Sequence, residues 1–200
     1  LKSTYYKPMG YPDGIYRVGP LARANVAEAM GTPLADEELR TFRWRIGRIA
    51  SSSFHQHYAR IIDILHSVEK IDQILRKPEI MSKHVTATAG INRNEGIGCS
   101  EAPRGTLMHH YKVDDDGLME WANLVIATGH NNMAMNRSVA QVARAYVKAD
   151  KIEEPMLNRV EAVIRSYDPC LSCSTHSLGD MALDIQLLSP EGEILDRVKR

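Results

Sequence analysis

Between Ser51 and Leu75, apolar side chains recur at three- and four-residue steps: Phe54, Tyr58, Ile61, Ile62, Leu65, Val68, Ile71, Ile74 and Leu75. That period belongs to an α-helix with one apolar face. Serines 51 to 53 can cap its start and Pro78 closes it. Shorter helices are expected over 20–30, where Pro20 opens the run and Gly31 ends it, and over 36–47, with acidic residues in the first turn. Helical spacing returns over 129–147 and 155–164. Between these the period changes. "HVTATAGI" (84–91) alternates like a strand, and 105–128 reads as two strands joined at Asp114 to Gly117. "MALDIQLL" and "EILDRVKR" flank "SPEG", a second hairpin signal, and the Pro-, Gly- and Tyr-rich first 20 residues read as an ordered loop. The expected fold is mainly α within the α+β class: a helical, bundle-like core with small antiparallel β-hairpins.

Bulk composition narrows the function classes. With 200 residues and 44 % hydrophobic content the chain can bury a substantial core. Its 25 basic and 25 acidic residues cancel, so no global field draws it to nucleic acid or to an anionic membrane. No apolar run approaches the roughly 20 residues that span a bilayer, and neither nucleic acid nor membrane is expected as a partner. Only Cys99, Cys170 and Cys173 are present, an odd set unlike a secreted disulfide framework. A reducing, cytoplasmic location is therefore expected. The chain starts at Leu1 without methionine, as a fragment of a longer product would.

Two stretches carry unusual chemistry. "DPCLSCSTH" (168–176) sets Cys170, Cys173 and His176 at steps of three, a spacing that brings two sulfurs and an imidazole to one side of a helical turn or tight loop. Such donors select thiophilic transition metals over magnesium or calcium at the sulfurs. Pro169 favours a fresh helical start at Cys170, where amide donors lower a thiol pKa. Three other readings stay open: an inert buried cysteine pair, a structural zinc with a remote fourth ligand such as Cys99 or His110, and a dithiol redox pair. In "EAPRG" (101–105), Pro103 fixes its own φ and Gly105 frees the turn that follows, so Arg104 sits at a rigid corner. An arginine paired with a carboxylate at a strand start would look the same.

Together, "EAPRGTLMHHY", "ATGHNNMAMNRSVAQVAR" and "DPCLSCSTH", in that order, closely resemble the C-terminal half of the large, catalytic subunit of nickel-iron hydrogenases. The flavour is that of the cytoplasmic NAD-reducing or bidirectional branch, or of the related F420-linked enzymes. The resemblance implies reversible oxidation of dihydrogen to protons and electrons, with nickel, iron carrying cyanide and carbon monoxide, and magnesium in the complete enzyme. It makes Cys170 a terminal nickel thiolate and proton acceptor, Cys173 a thiolate shared by the two metals, and His176 a ligand of the magnesium region. Pro103 and Arg104 line the group, with the Arg104 guanidinium directed to an iron-bound cyanide and oriented by Asp168, and Thr128 offers its hydroxyl to the other cyanide. Each has a plain alternative, since Thr128 and Asp168 could be helix caps only. The implied partners are the iron-sulfur small subunit, the maturation endopeptidase, nickel-delivery proteins and diaphorase-type subunits.

The chain also departs from the family pattern. The active site of the family takes a second CxxC pair and a glutamate from its N-terminal half, and no cysteine precedes Cys99 here. The 200-residue span alone is thus expected to bind no metal centre and to be inactive. The family's endopeptidase cuts after the motif histidine, which divides the chain into a catalytic part, 1–176, and an extension, 177–200, to be removed. The competing function is a binding module holding a structural zinc at Cys170, Cys173 and His176. Among lesser signals, His55, His57 and His66 are expected on a helix surface or at an interface despite the metal-compatible step from His66 to Glu69. His109 and His110 should face opposite sides of a strand, and the arginines near 40–48 should form a solvated or subunit-facing stripe.

Overall fold

The computed structural model describes residues 3–87, 90, 92–147, 151–171 and 184–199. Two compact units are present, one of residues 18–127 and one of residues 1–17 with 128–200. No helix among the described residues is long and apolar enough to cross a membrane.

The 18–127 unit starts with three helices, α1 (Pro20–Val26), α2 (Pro33–Ile46) and α3 (His55–Leu75). Leu21, Ala24, Leu39, Phe42, Ala59 and Ile62 close a core between them. Phe42 lies edge-on to Tyr58 at 5.1 Å. The long helix begins at His55 after a turn over residues 52–54, with Phe54 rather than a serine at the cap position and no side-chain cap bond. Pro78 ends it by opening a 3-10 turn, Pro78–Met81. Only part of its apolar period is used. Ile62 is fully buried, whereas Ile61, Ile64, Val68, Ile71 and Leu75 remain 56 to 63 % exposed.

Helix ends leave backbone groups that need partners, and neighbouring helices supply them. Arg43 of α2 donates to the carbonyls of Ala24 (2.8 Å), Ala27 and Glu28 (3.3 Å) at the end of α1. Asn25 exchanges two hydrogen bonds with the backbone of Ala50. Glu69 of α3 accepts the first amides of α2, from Leu34 and Ala35, each at 3.0 Å. Its partial desolvation opposes ionisation, but these amides and the Thr32 hydroxyl outweigh that and hold the carboxyl below its usual range. The expected arginine stripe is therefore incomplete: Arg40, Arg45 and Arg48 are exposed while Arg43 serves as a cap. His66 meets the Thr32 hydroxyl at 3.2 Å, so the His66 and Glu69 step serves helix packing.

The strands of this unit, β1 (Glu95–Ala102), β2 (Gly105–Val113) and β3 (Met119–Val125), form one antiparallel sheet in the order β1-β2-β3. The hairpin expected over 105–128 is β2-β3, turning at Asp114 to Gly117. The strand expected over 84–91 is not found among its described residues: 84–87 and 90 lack regular structure, and the others lie outside the described set. The partner of β2 is "EGIGCSEA", paired residue for residue from Glu95↔Lys112 to Ala102↔Gly105. Two glycines and a charged end hide it from propensity, because the pairing partner rather than intrinsic preference decides the strand.

In the other unit, α4 (Ala127–Tyr146) and α5 (Glu154–Ser166) meet through Ala134, Met135, Val163 and Tyr167, with Ile15 of the N-terminal loop against them. The tail hairpin is β4 (Asp184–Leu188) with β5 (Ile194–Lys199). Asp196 of β5 accepts the amide of Ile152 at 2.8 Å. The amides of Ile152 and Arg197 hold its carboxyl below the usual aspartate range.

Phe42→Ala should destabilise the chain by about 3–5 kcal/mol in equilibrium denaturation, because a fully buried ring leaves a cavity. The Asp196 contribution has a definite sign. It is complete above the ordinary aspartate pKa of about 3.9 and disappears as pH falls from there through the depressed folded value. Hydrogen-exchange protection of the Ile152 amide, corrected for intrinsic rates, should therefore hold at neutral pH and fall only below that point.

Candidate metal centre

The described part of the proposed donor set lies where α4 begins and α5 ends. Three polar residues of the first α4 turns, Thr128, His130 and Asn131, are 3 to 4 % exposed. His130 Nδ1 is 2.5 Å from the Tyr16 hydroxyl, which also meets Thr4 Oγ1 at 2.7 Å. The sequence reading missed this pairing, although "TGHNN" at a helix start is a run of polar residues too long for a solvated cap alone. At the end of α5, Tyr167 is 3 % exposed, with its hydroxyl 2.8 Å from Ser138 Oγ and donating to the Ala134 carbonyl at 3.2 Å. The Arg17 guanidinium stands 6.0 Å from the Tyr167 ring centroid, over its face.

From this anchored tyrosine the chain turns sharply. Asp168 has φ 49°, a left-handed conformation that aspartate tolerates better than most side chains. Its amide donates to the Arg165 carbonyl at 3.0 Å, and Pro169 follows. The amide of Cys170 then donates to Thr128 Oγ1 at 3.1 Å. The "DPC" segment is thus held at both ends, by the buried Tyr167 and by Thr128. Thr128 is the second residue of α4, and its hydroxyl is engaged by the Cys170 amide. Having accepted from Cys170, its hydroxyl keeps a proton to donate.

The Cys170 sulfur is in a disulfide whose other half lies outside the described residues, so ligation through it requires the reduced form. Cys173 and His176 also lie outside them. Among the described residues no three His, Cys, Asp or Glu side chains converge as a metal site. What is described suits a thiophilic metal with anionic ligands: a half-buried sulfur on a fixed backbone, beside a helix start and a buried hydroxyl.

Pro103 and Arg104 belong to the other unit, where they form the exposed two-residue turn between β1 and β2. Gly105 closes that turn at φ 133°. Cys99 is an exposed free cysteine on β1. His110 is engaged with Glu95 at 2.7 Å and with the edge of Trp121, while His109 meets Tyr111 at 2.6 Å on the opposite face.

Replacing Thr128 tests the Cys170 contact. Thr128→Val should strip exchange protection from the Cys170 amide and destabilise by about 1–3 kcal/mol, the range for a lost partner of a buried donor, whereas Thr128→Ser should retain most of the protection.

A family described as nickel-dependent hydrogenase matches residues 2–176. The chain is 43 % identical over its whole length to the NAD-reducing hydrogenase HoxS subunit beta of Cupriavidus necator, covering 42 % of that protein. It is 39 % identical over 99 % of its length to one subunit of the F420-non-reducing hydrogenase of Methanothermobacter thermautotrophicus, covering 43 % of it. Among solved structures, an NAD+-reducing NiFe hydrogenase in the H2-reduced state superposes with a TM-score of 0.79 at 40 % identity, over 86 % of this chain and 38 % of that one. A Ni-Fe-Se hydrogenase from D. vulgaris Hildenborough gives 0.57 at 26 %, over 82 % and 36 %. The chain spans about two fifths of the length of these relatives. The match over residues 2–176, together with relatives about 40 % identical along the chain, makes this chain a member of the nickel-dependent hydrogenase family.

Proposed function

We propose that this chain is the C-terminal half of the catalytic subunit of a nickel-iron hydrogenase that interconverts dihydrogen with protons and electrons. The observation that carries the reading is the hydrogen bond from the Cys170 amide to Thr128 Oγ1, which seats the first motif cysteine against the polar start of α4. When bound, the nickel-iron group supplies an open coordination position at which dihydrogen is polarised and split. Cys170 and Cys173 are two of its four sulfur donors, the other pair coming from the half of the family's subunit that precedes this span. His176 serves the neighbouring magnesium region.

The remaining roles follow from charge. Iron-bound cyanides are anionic, so the proton left on Thr128 Oγ1 is donated toward one of them. In the assembled enzyme the Arg104 guanidinium is directed to the other, with Pro103 shaping the corner and Asp168 orienting the arginine. Arg104 acts by its charge and by the fixed placement of its guanidinium. The Cys170 sulfur, which keeps basic lone pairs when ligated, takes the proton.

Residues 177–200 are the segment removed after His176 during maturation. The family match ending at residue 176 supports that division. The relatives are named as subunits, which supports partners in a complex: an iron-sulfur subunit to carry electrons away, diaphorase-type subunits if NAD is the acceptor, and the nickel-delivery and endopeptidase proteins of maturation. A cytoplasmic location goes with this reading.

The test uses the full-length subunit in its complex. Cys170→Ser should abolish H2-dependent dye reduction and lower nickel content, and Arg104→Ala should retain nickel but lose about 10²–10³ in kcat, the range for one removed charge-stabilising donor. Undiminished nickel in the Cys170→Ser protein would end the proposal. So would stoichiometric tetrahedral zinc at this motif, which is the binding-module alternative.

A further inference from the structure

We propose that Arg23 is a positioning residue: its guanidinium fixes the Pro103–Arg104 corner and thereby the place from which Arg104 acts. This rests on the reading that Arg104 faces the anionic ligands of the metal group. The geometry lies wholly within the 18–127 unit. Arg23, on α1, donates to Glu101 at 2.8 Å, to the Ala102 carbonyl at 3.2 Å and to the Pro103 carbonyl at 3.0 Å. These are the three residues immediately before Arg104. Toward its other side, the same guanidinium is paired with Asp63 of α3, through Nη2 and through Nε at 3.2 Å.

The corner is thus tied to a 21-residue helix through one side chain. A second restraint acts from the backbone. Gly19, the cap residue of α1, runs so close to the turn that a Cβ there would sit 2.7 Å from the Arg104 carbonyl oxygen. A Cβ on Gly105 would in turn collide with Val18 and come within 2.8 Å of the Gly19 nitrogen. Both glycines have positive φ, 99° and 133°, so they are required twice over. One face of the turn is held by this contact, and the preceding carbonyls by Arg23.

Only an arginine meets this demand. Two carboxylates and two carbonyls surround the group, and a planar fork with five donors reaches them all, whereas a lysine offers three donors from a single point. Arg23 and Asp63 side chains are 23 and 18 % exposed, so the pair is shielded but not sealed. Burial opposes the charge on Arg23, and the carboxylates of Asp63 and Glu101 more than offset it. Glu101 is shared, its other oxygen accepting from Thr106 Oγ1 at 2.5 Å on the far side of the turn. The turn itself is exposed and two residues long, so releasing the two carbonyls frees the tip that carries Arg104.

The experiment compares Arg23→Lys, Arg104→Lys and Arg43→Lys in the complete hydrogenase complex. Arg43 caps α1 without touching the turn, and so reports purely structural loss. Arg23→Lys should keep wild-type nickel content and a near-normal KM for dihydrogen while lowering kcat about 10- to 100-fold, as a small displacement of a positioned group does. It should shift the infrared cyanide bands in the same direction as Arg104→Lys, and raise hydrogen exchange at the amides of Arg104 and Thr106. Arg43→Lys should lower the melting temperature without moving the cyanide bands. Should Arg23→Lys not assemble, Glu101→Gln, which weakens one tie, should give the same band shift in smaller measure. Unmoved bands and unchanged kcat in the Arg23 or Glu101 variant, with both altered in Arg104→Lys, overturn the positioning role alone. If Arg104→Lys itself changes neither, the reading of Arg104 is wrong and the catalytic link of Arg23 falls with it.

Discussion

Backbone amides and carbonyls at the ends of short elements need partners, and the first helices of this chain cannot supply their own. The 7-residue α1 is an extreme case: carbonyls at and just beyond its end are taken up by Arg43, a residue of the next helix. Glu69 does the same for the amides at the start of α2. The device recurs in the other unit, where Thr128 receives the Cys170 amide and Asp196 the Ile152 amide. Each of these bonds combines local satisfaction with long-range placement. Removing one leaves a backbone group without a partner and also unties two segments far apart in sequence.

That economy explains which parts of the fold could be read in advance. The helices expected over 20–30, 36–47, 51–75, 129–147 and 155–164 from spacing, Pro and Gly lie at 20–26, 33–46, 55–75, 127–146 and 154–166, each end within four residues of its expected place. The β2-β3 and β4-β5 hairpins announce themselves by alternation around turn residues. What stayed hidden was β1, because "EGIGCSEA" has no strand character of its own and exists as a strand by pairing with β2. "HVTATAGI" has the right residues, but residues 84–87 lie outside any sheet. Strand identity here is a property of the pair.

The chemistry divides along the same line. Cys170, Arg104 and Thr128 stood out as candidates because they sit in rigid contexts and because their motifs carry a family likeness. Arg23, Asp63 and Gly19 were not, since an arginine on a short helix, an aspartate on a long one and a glycine before a proline are commonplace until the fold brings them to one turn. Likewise the Tyr16 and His130 pair spans 114 positions, and nothing local connects the two.

The uncovered side of α3 bears on how this span behaves in a test tube. Ile61, Ile64, Val68, Ile71 and Leu75 follow one another along some four turns of helix, each more than half open to water. Oily ridges of that extent make a polypeptide sticky. Expressed by itself in water, the 200-residue chain would tend to clump through this ridge, and a solubilising fusion or mild detergent would counter that tendency.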